Sequence, residues 1–179
     1  MTVKTTVATN AYLWPVDKQG AGTGWVRTAS WGVQNNQPPT LTAPAPIPNL
    51  TGANQSLTAT VTDLNGASDI SRIYFLLNAD ISIPQNSCHG FYDRATNAVY
   101  LYNDALTALE GPLTPGSGNA IGNTRCQING PSTGVLAGPS SLQLTLGWTR
   151  KTAAPAKLYL WAVDSQSAGT GWVLQANHN

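Results

Sequence analysis

Asp63, Asn65 and Asp69 place three side-chain oxygens within a short stretch around Gly66, whose backbone freedom permits a tight turn. Oxygen donors at that density are what a hard cation such as calcium takes. An EF-hand loop would need further acidic positions and a bidentate glutamate that this segment lacks, so the other reading is an Asx-stabilised turn between two strands. Asp17 and Asp164 close two nearly identical segments and read as turn formers. His89, Asp93, Asp104 and Glu110 complete the polar groups with catalytic potential. No Gly-x-Ser-x-Gly elbow accompanies them, and no spacing rule pairs two of the carboxylates for glycoside hydrolysis. Glu110 is the only glutamate; it could assist a lysine–asparagine isopeptide bond, a role an aspartate would fill equally. The expectation is a chain without enzymatic activity and without a resident cofactor, calcium excepted.

Cys88 and Cys126 are the only cysteines, and they match neither the CxxC spacing of a redox or zinc site nor a nucleophile signature. A disulfide between them would contribute about 4 kcal/mol by restricting the unfolded chain. Two buried free thiols are the alternative. Six tryptophans against two phenylalanines make carbohydrate a candidate ligand, because indole faces stack on sugar rings. Trp14 and Trp161 fall inside strand patterns, where core packing is the stronger reading. Trp25 and Trp172 follow Gly-Thr-Gly turns and can sit at an edge; Trp31 and Trp148 fit either role. Asn49-Leu50-Thr51 and Asn54-Gln55-Ser56 match the glycosylation sequon.

These residues must be held by strands. Leu57 to Thr62 and Leu142 to Leu146 alternate apolar and polar side chains, the pattern of a sheet with one buried face. Ile73 to Leu77 and Leu158 to Val163 are denser in apolar residues and suit central strands. Phe91 to Asp93 and Val99 to Tyr102 flank the four-residue loop Arg94 to Asn97 and read as a hairpin. The single helical candidate is Asn103 to Glu110, at most two turns. Five prolines between Val33 and Asn54 resist ladder pairing and mark a joint. The strands are expected to form two packed antiparallel sheets.

The chain also contains its own ending twice. Ala11 to Val26 reads AYLWPVDKQGAGTGWV and Leu158 to Val173 reads LYLWAVDSQSAGTGWV, with twelve of sixteen positions identical. The alignment begins at Lys4-Thr5, opposite Lys151-Thr152. Self-similarity at a fixed offset marks repeat and assembly proteins, whose units are completed by their neighbours. The organisation expected is a strand segment over 1–32, a proline-rich joint with a first strand over 33–54, and a β-sandwich core over 55–179. Tyr12, Leu13, Trp14, Trp25 and Trp31 would form an exposed apolar ribbon if the leading segment stood alone, and a lone two-stranded hairpin is marginal in water. Tyr12, Trp14, Trp25, Val26 and Trp31 are therefore the expected assembly contacts.

Only 9% of the 179 residues are charged, against roughly a quarter in an average soluble domain, and the net charge is +1. Nine basic and eight acidic residues occur singly, so no patch suits nucleic acid or an anionic membrane. The amino terminus lacks a charged start followed by an apolar run, so any signal peptide is expected to be removed or to lie upstream.

Val61 to Ile70, with Asp63, Asn65, Gly66 and Asp69, then Cys88, Tyr92-Asp93-Arg94 through Asn97, Tyr100 to Ala105, Cys126 and the Tyr-Leu-Trp-Ala-Val-Asp ending together carry a resemblance. Over roughly residues 38–177 the chain resembles immunoglobulin-like modules found in tandem in large secreted or surface-exposed bacterial proteins. The resemblance implies an immunoglobulin-like antiparallel β-sandwich with a disulfide and no enzymatic activity. A standard array member would not begin with a neighbour's final strands. The functional expectation is an extracellular building block of a surface array or filament, self-associating head-to-tail by strand complementation through residues 1–32. The alternative is an adhesive or carbohydrate-binding module.

Overall fold

The computed structural model of the chain describes residues 9–31, 35–42 and 51–178. The Asn49 sequon, Pro44 to Pro48 of the joint and the Trp31 side chain lie outside the described residues. The chain divides into two compact units, one up to Asn36 and one from Gln37 onward. Among the described residues the first is a hairpin of β1 (Thr9–Leu13) and β2 (Val26–Trp31).

The second unit is all-β and antiparallel. One sheet runs in the order β3 (Thr40–Thr42), β4 (Asn54–Thr62), β12 (Ser141–Arg150), β10 (Cys126–Asn129) and β9 (Ala120–Gly122), with β11 (Gly134–Ala137) also paired to β12. The other runs β14 (Val173–His178), β13 (Ala156–Asp164), β5 (Ile70–Asn78), β6 (Cys88–Asp93), β7 (Ala98–Tyr102) and β8 (Leu109–Leu113). The alternating segments form β4 and β12, and the denser ones form β5 and β13, each with a strand on both sides.

Alternation buries one face of each sheet against the other. Leu57, Ala59 and Val61 of β4 and Leu142, Leu144, Leu146 and Trp148 of β12 meet Ile73, Phe75 and Leu77 of β5 and Leu158, Leu160 and Ala162 of β13 in one core. Trp148 is a core residue. Cys88 on β6 and Cys126 on β10 are disulfide-bonded, so the bridge ties one sheet to the other.

Asn103 to Glu110 is not helical. The Asn103 side-chain oxygen accepts the amide hydrogens of Thr107 and Ala108, and Leu106 takes a φ of +59°. A side chain that binds nearby amides competes with helix formation, and pairing of Leu109 and Glu110 with β7 draws the end of the segment into a strand. The hairpin at Arg94 to Asn97 forms as expected, with Asp93 Oδ1 accepting the amides of Ala95 and Thr96 and Asn97 at positive φ.

Candidate functional site

The duplicated sequence folds the same way twice. Ala11, Tyr12 and Leu13 pair with Ala29, Arg27 and Val26, and Leu158, Tyr159 and Leu160 pair with Ala176, Leu174 and Val173. A bulge interrupts both ladders just before the tyrosine. An isolated bridge joins Val16 to Gly22 in the first copy and Val163 to Gly169 in the second. Asp17 Oδ1 accepts the amides of Gln19 and Ala21, and Asp164 Oδ1 accepts those of Gln166 and Ala168, so both aspartates close their turns. Trp14 and Trp25 meet edge-on at 5.6 Å and 64°, Trp161 and Trp172 at 5.7 Å and 62°.

The Ala-Gly-Thr-Gly-Trp motif explains this local geometry. A Cβ at Gly22 would sit 2.2 Å from Trp14 Nε1, and one at Gly169 would sit 2.5 Å from Trp161 Nε1, so each glycine leaves room for an indole over the turn. Gly24 and Gly171 take φ of +76° and +66°, where side chains are strained.

The surroundings of the two copies differ. In the sandwich, β13 pairs along its length with β5 and Leu160 is 0% exposed. Its counterpart Leu13 is 60% exposed. Trp14 and Trp25 are 51% and 69% exposed, whereas Trp161 and Trp172 are half-buried against Tyr74, with His89 also against Trp172. Tyr12 is exposed and its counterpart Tyr159 is half-buried. Val26 is exposed, and so is its counterpart Val173 within the complete sheet. Leu13 is the residue whose counterpart changes most, a point invisible in the sequence because Leu13 and Leu160 have identical strand neighbours there.

Trp161 does not point into the core. It sits on the opposite side of β13 from Leu158, Leu160 and Ala162, because position 161 falls on the other parity of the strand. There it begins a row of directly paired residues across four strands: Trp161 opposite Tyr74, Tyr74 opposite Phe91, Phe91 opposite Tyr100. Their ring centroids are 5.5, 5.4 and 5.2 Å apart with interplanar angles of 31°, 46° and 25°. Phe91 and Tyr100 are stacked, whereas Tyr74 is tilted against both Trp161 and Phe91. Such cross-strand pairs stabilise the sheet. Period-two reading of Tyr74, Phe91 and Tyr100 could have found the row.

Asp63 and Asp69 come together with Asp164: one carboxylate oxygen from each of the three aspartates lies within 4.8 Å of the others. Asn65 is turned to the chain, its Oδ1 accepting the Gln37 amide at 2.7 Å while its own amide donates to Asp63 Oδ1 at 2.7 Å. Asp63 is 1% exposed. Burial pushes its carboxyl above the ordinary range, the Asn65 amide opposes this, and the charges of Asp69 and Asp164 add to it. A carboxyl with a raised folded-state pKa binds more protons folded than unfolded, so its ionisation weakens the fold as pH rises through that value. Asp63→Asn keeps the acceptor for Asn65 and removes the charge. It is expected to raise the melting temperature at pH 7 in metal-free buffer, with the gain over wild type vanishing below the ordinary carboxylate value of 3.8 in a pH series of thermal melts.

The four candidates for catalysis occupy separate environments. His89 packs between Tyr102 at 4.7 Å and Trp172 at 5.8 Å, and burial lowers its pKa, leaving the imidazole neutral at pH 7. Asp93, four residues further along β6 and hence about 13 Å away, is ion-paired with Arg72 at 2.9 Å. Asp104 lies in the loop after β7 and Glu110 is exposed on β8. No helix among the described residues is long and apolar enough to cross a membrane. No protein-family model matches the chain, and no curated protein matches it significantly.

Proposed function

We propose that the chain is a non-enzymatic, extracellular, immunoglobulin-like structural module of a surface array, and that its amino-terminal hairpin completes the sheet of a neighbouring module. The observation that carries this is the contrast between Leu160, fully buried beside β5, and Leu13, exposed on an otherwise matching hairpin. A hairpin that reproduces β13–β14 in register, bulge and tryptophan pair is complementary to whatever β13–β14 is complementary to, which is the β5 edge and the Tyr74 side of a like module. Joining by strand addition supplies main-chain hydrogen bonds as well as a pocket for the side chains.

The immunoglobulin-like reading is supported by the bridge between facing sheets and by Trp148, which lines the same small internal cavity as Cys88. A tryptophan packed near an inter-sheet disulfide is a mark of that fold. The disulfide favours an oxidising compartment, and hence secretion.

In each complete module the β5 edge is already taken by β13–β14. Strand complementation between identical copies would exchange one hairpin for a near-identical one with little net gain, whereas completing a neighbouring repeat requires no displacement. The tandem form of the array is therefore the favoured one.

Deleting residues 155–179 tests the complementarity. It opens the β5 edge while leaving the amino-terminal hairpin in place, so the truncated chain is expected to link head-to-tail into oligomers by light scattering and electron microscopy. Deleting residues 1–36 as well is expected to abolish the oligomers. Truncated chains that stay monomeric, or that associate equally without residues 1–36, would remove the docking role.

A further inference from the structure

We propose that Asp63, Asp69 and Asp164 form a calcium site that fastens the end of β13 to the connection between β4 and β5. The three aspartates come from three places in the fold: just after β4, just before β5 and the last residue of β13. Their nearest carboxylate oxygens lie within 4.8 Å of one another. Calcium holds oxygens at about 2.3–2.6 Å, so ligands on one ion are separated by at most about 5 Å.

A second observation concerns unmatched polarity. Asp63 is 1% exposed, and its Oδ2 is buried without a hydrogen-bond partner. Asp69 Oδ2 is likewise buried and unpartnered. Burying a carboxylate oxygen without a partner is among the costlier things a fold can do, and gathering further carboxylates beside it makes the cost larger. A divalent cation answers both problems at once.

One oxygen of each carboxylate is anchored. Asp63 Oδ1 accepts the Asn65 amide, Asp69 Oδ1 accepts the Ser165 hydroxyl, and Asp164 Oδ1 accepts the amides of Gln166 and Ala168. Tethering one oxygen of a ligand by hydrogen bonds orients the group for metal. The Ser165 amide also donates to the Asp69 carbonyl at 2.7 Å, so the same two segments are already adjacent through the backbone.

The donor set is all oxygen, which suits a hard cation rather than zinc or copper. Magnesium demands a smaller octahedron with oxygens at about 2.0–2.1 Å and retains most of its water, whereas three carboxylates from separate segments match the looser calcium sphere. Water and backbone carbonyls would complete the coordination. This site belongs to one module and does not depend on the docking of the amino-terminal hairpin.

The test uses the full chain, stripped with chelator and titrated with calcium chloride by isothermal calorimetry, with thermal melts in parallel. Expected are one saturable site per chain, a dissociation constant in the range of about 0.1–1 mM typical of extracellular modules, and a melting temperature that rises with calcium more than with magnesium at equal concentration. Asp69→Asn is expected to weaken binding at least tenfold. Asp63→Asn should remain folded and lose the calcium-dependent rise. Asp80→Asn, which changes an exposed carboxylate elsewhere, should leave binding unchanged. The proposal is overturned by no saturable heat into the millimolar range, by equal responses to calcium and magnesium, or by an unchanged calcium response in Asp63→Asn and Asp69→Asn.

Discussion

Leu160→Ala is expected to destabilise the sandwich by about 2–5 kcal/mol, and the same substitution at the repeated position, Leu13→Ala, by less than about 0.5 kcal/mol. Both leucines sit one residue before a tryptophan on the first strand of a matching hairpin. Leu160 is wholly enclosed between the sheets, so its truncation removes apolar contact and leaves a void that neighbours on β5 cannot fill. Leu13 is already in water, so its truncation removes little. Urea unfolding of the two variants, followed by circular dichroism, measures the difference. In the oligomers formed after deletion of residues 155–179, which removes Leu160, Leu13→Ala should instead weaken association, because there Leu13 takes the place of Leu160. A penalty for Leu13→Ala in the intact chain comparable to that of Leu160→Ala would mean that the hairpin is already sheltered, and the neighbour-completing role would lose its basis.

Replacing Cys88 and Cys126 together by alanine is expected to lower stability by about 4 kcal/mol. The two are separated by 38 positions in sequence, and freeing a loop of that size restores that much conformational freedom to the unfolded chain. Against a typical net stability of about 5–15 kcal/mol the loss is large. Both sulfur-bearing residues are buried, so reductant under native conditions should act slowly, at the pace of unfolding. Thiol labelling with and without denaturant measures this, and denaturation of the double variant measures the energy. A double variant as stable as wild type would show that the facing sheets hold together without their covalent tie.

Much of the architecture was legible because it depends on local pattern. The period-two alternation in Leu57 to Thr62 and Leu142 to Leu146 can satisfy only a strand with one buried face, and the Asp93 to Asn97 turn is written in side chains that bind their own backbone. Other features were legible only in part. Asn103 to Glu110 carries helix-forming residues, but the Asn103 side chain captures two amides and the edge of β7 offers Leu109 and Glu110 a ladder. Trp161 looked like a core residue by its company, yet its parity on β13 sends it to the outer face, while Trp148 goes inward.

By itself the sequence determined the strands β4, β5, β6, β7, β12 and β13, the antiparallel all-β class, the pair of cysteines available for a bridge and the fact that one hairpin is written twice, since each follows from residue type and spacing along the chain. Tertiary structure alone decided that Asp164 meets Asp63 and Asp69 and that Leu160 is buried while Leu13 is bare. Those outcomes depend on which distant strand lies alongside: β5 brings β13 beside it and carries Asp69 to Asp164, and no pattern within either segment encodes that pairing. The same hairpin chemistry yields a core element or an exposed surface according to its neighbour.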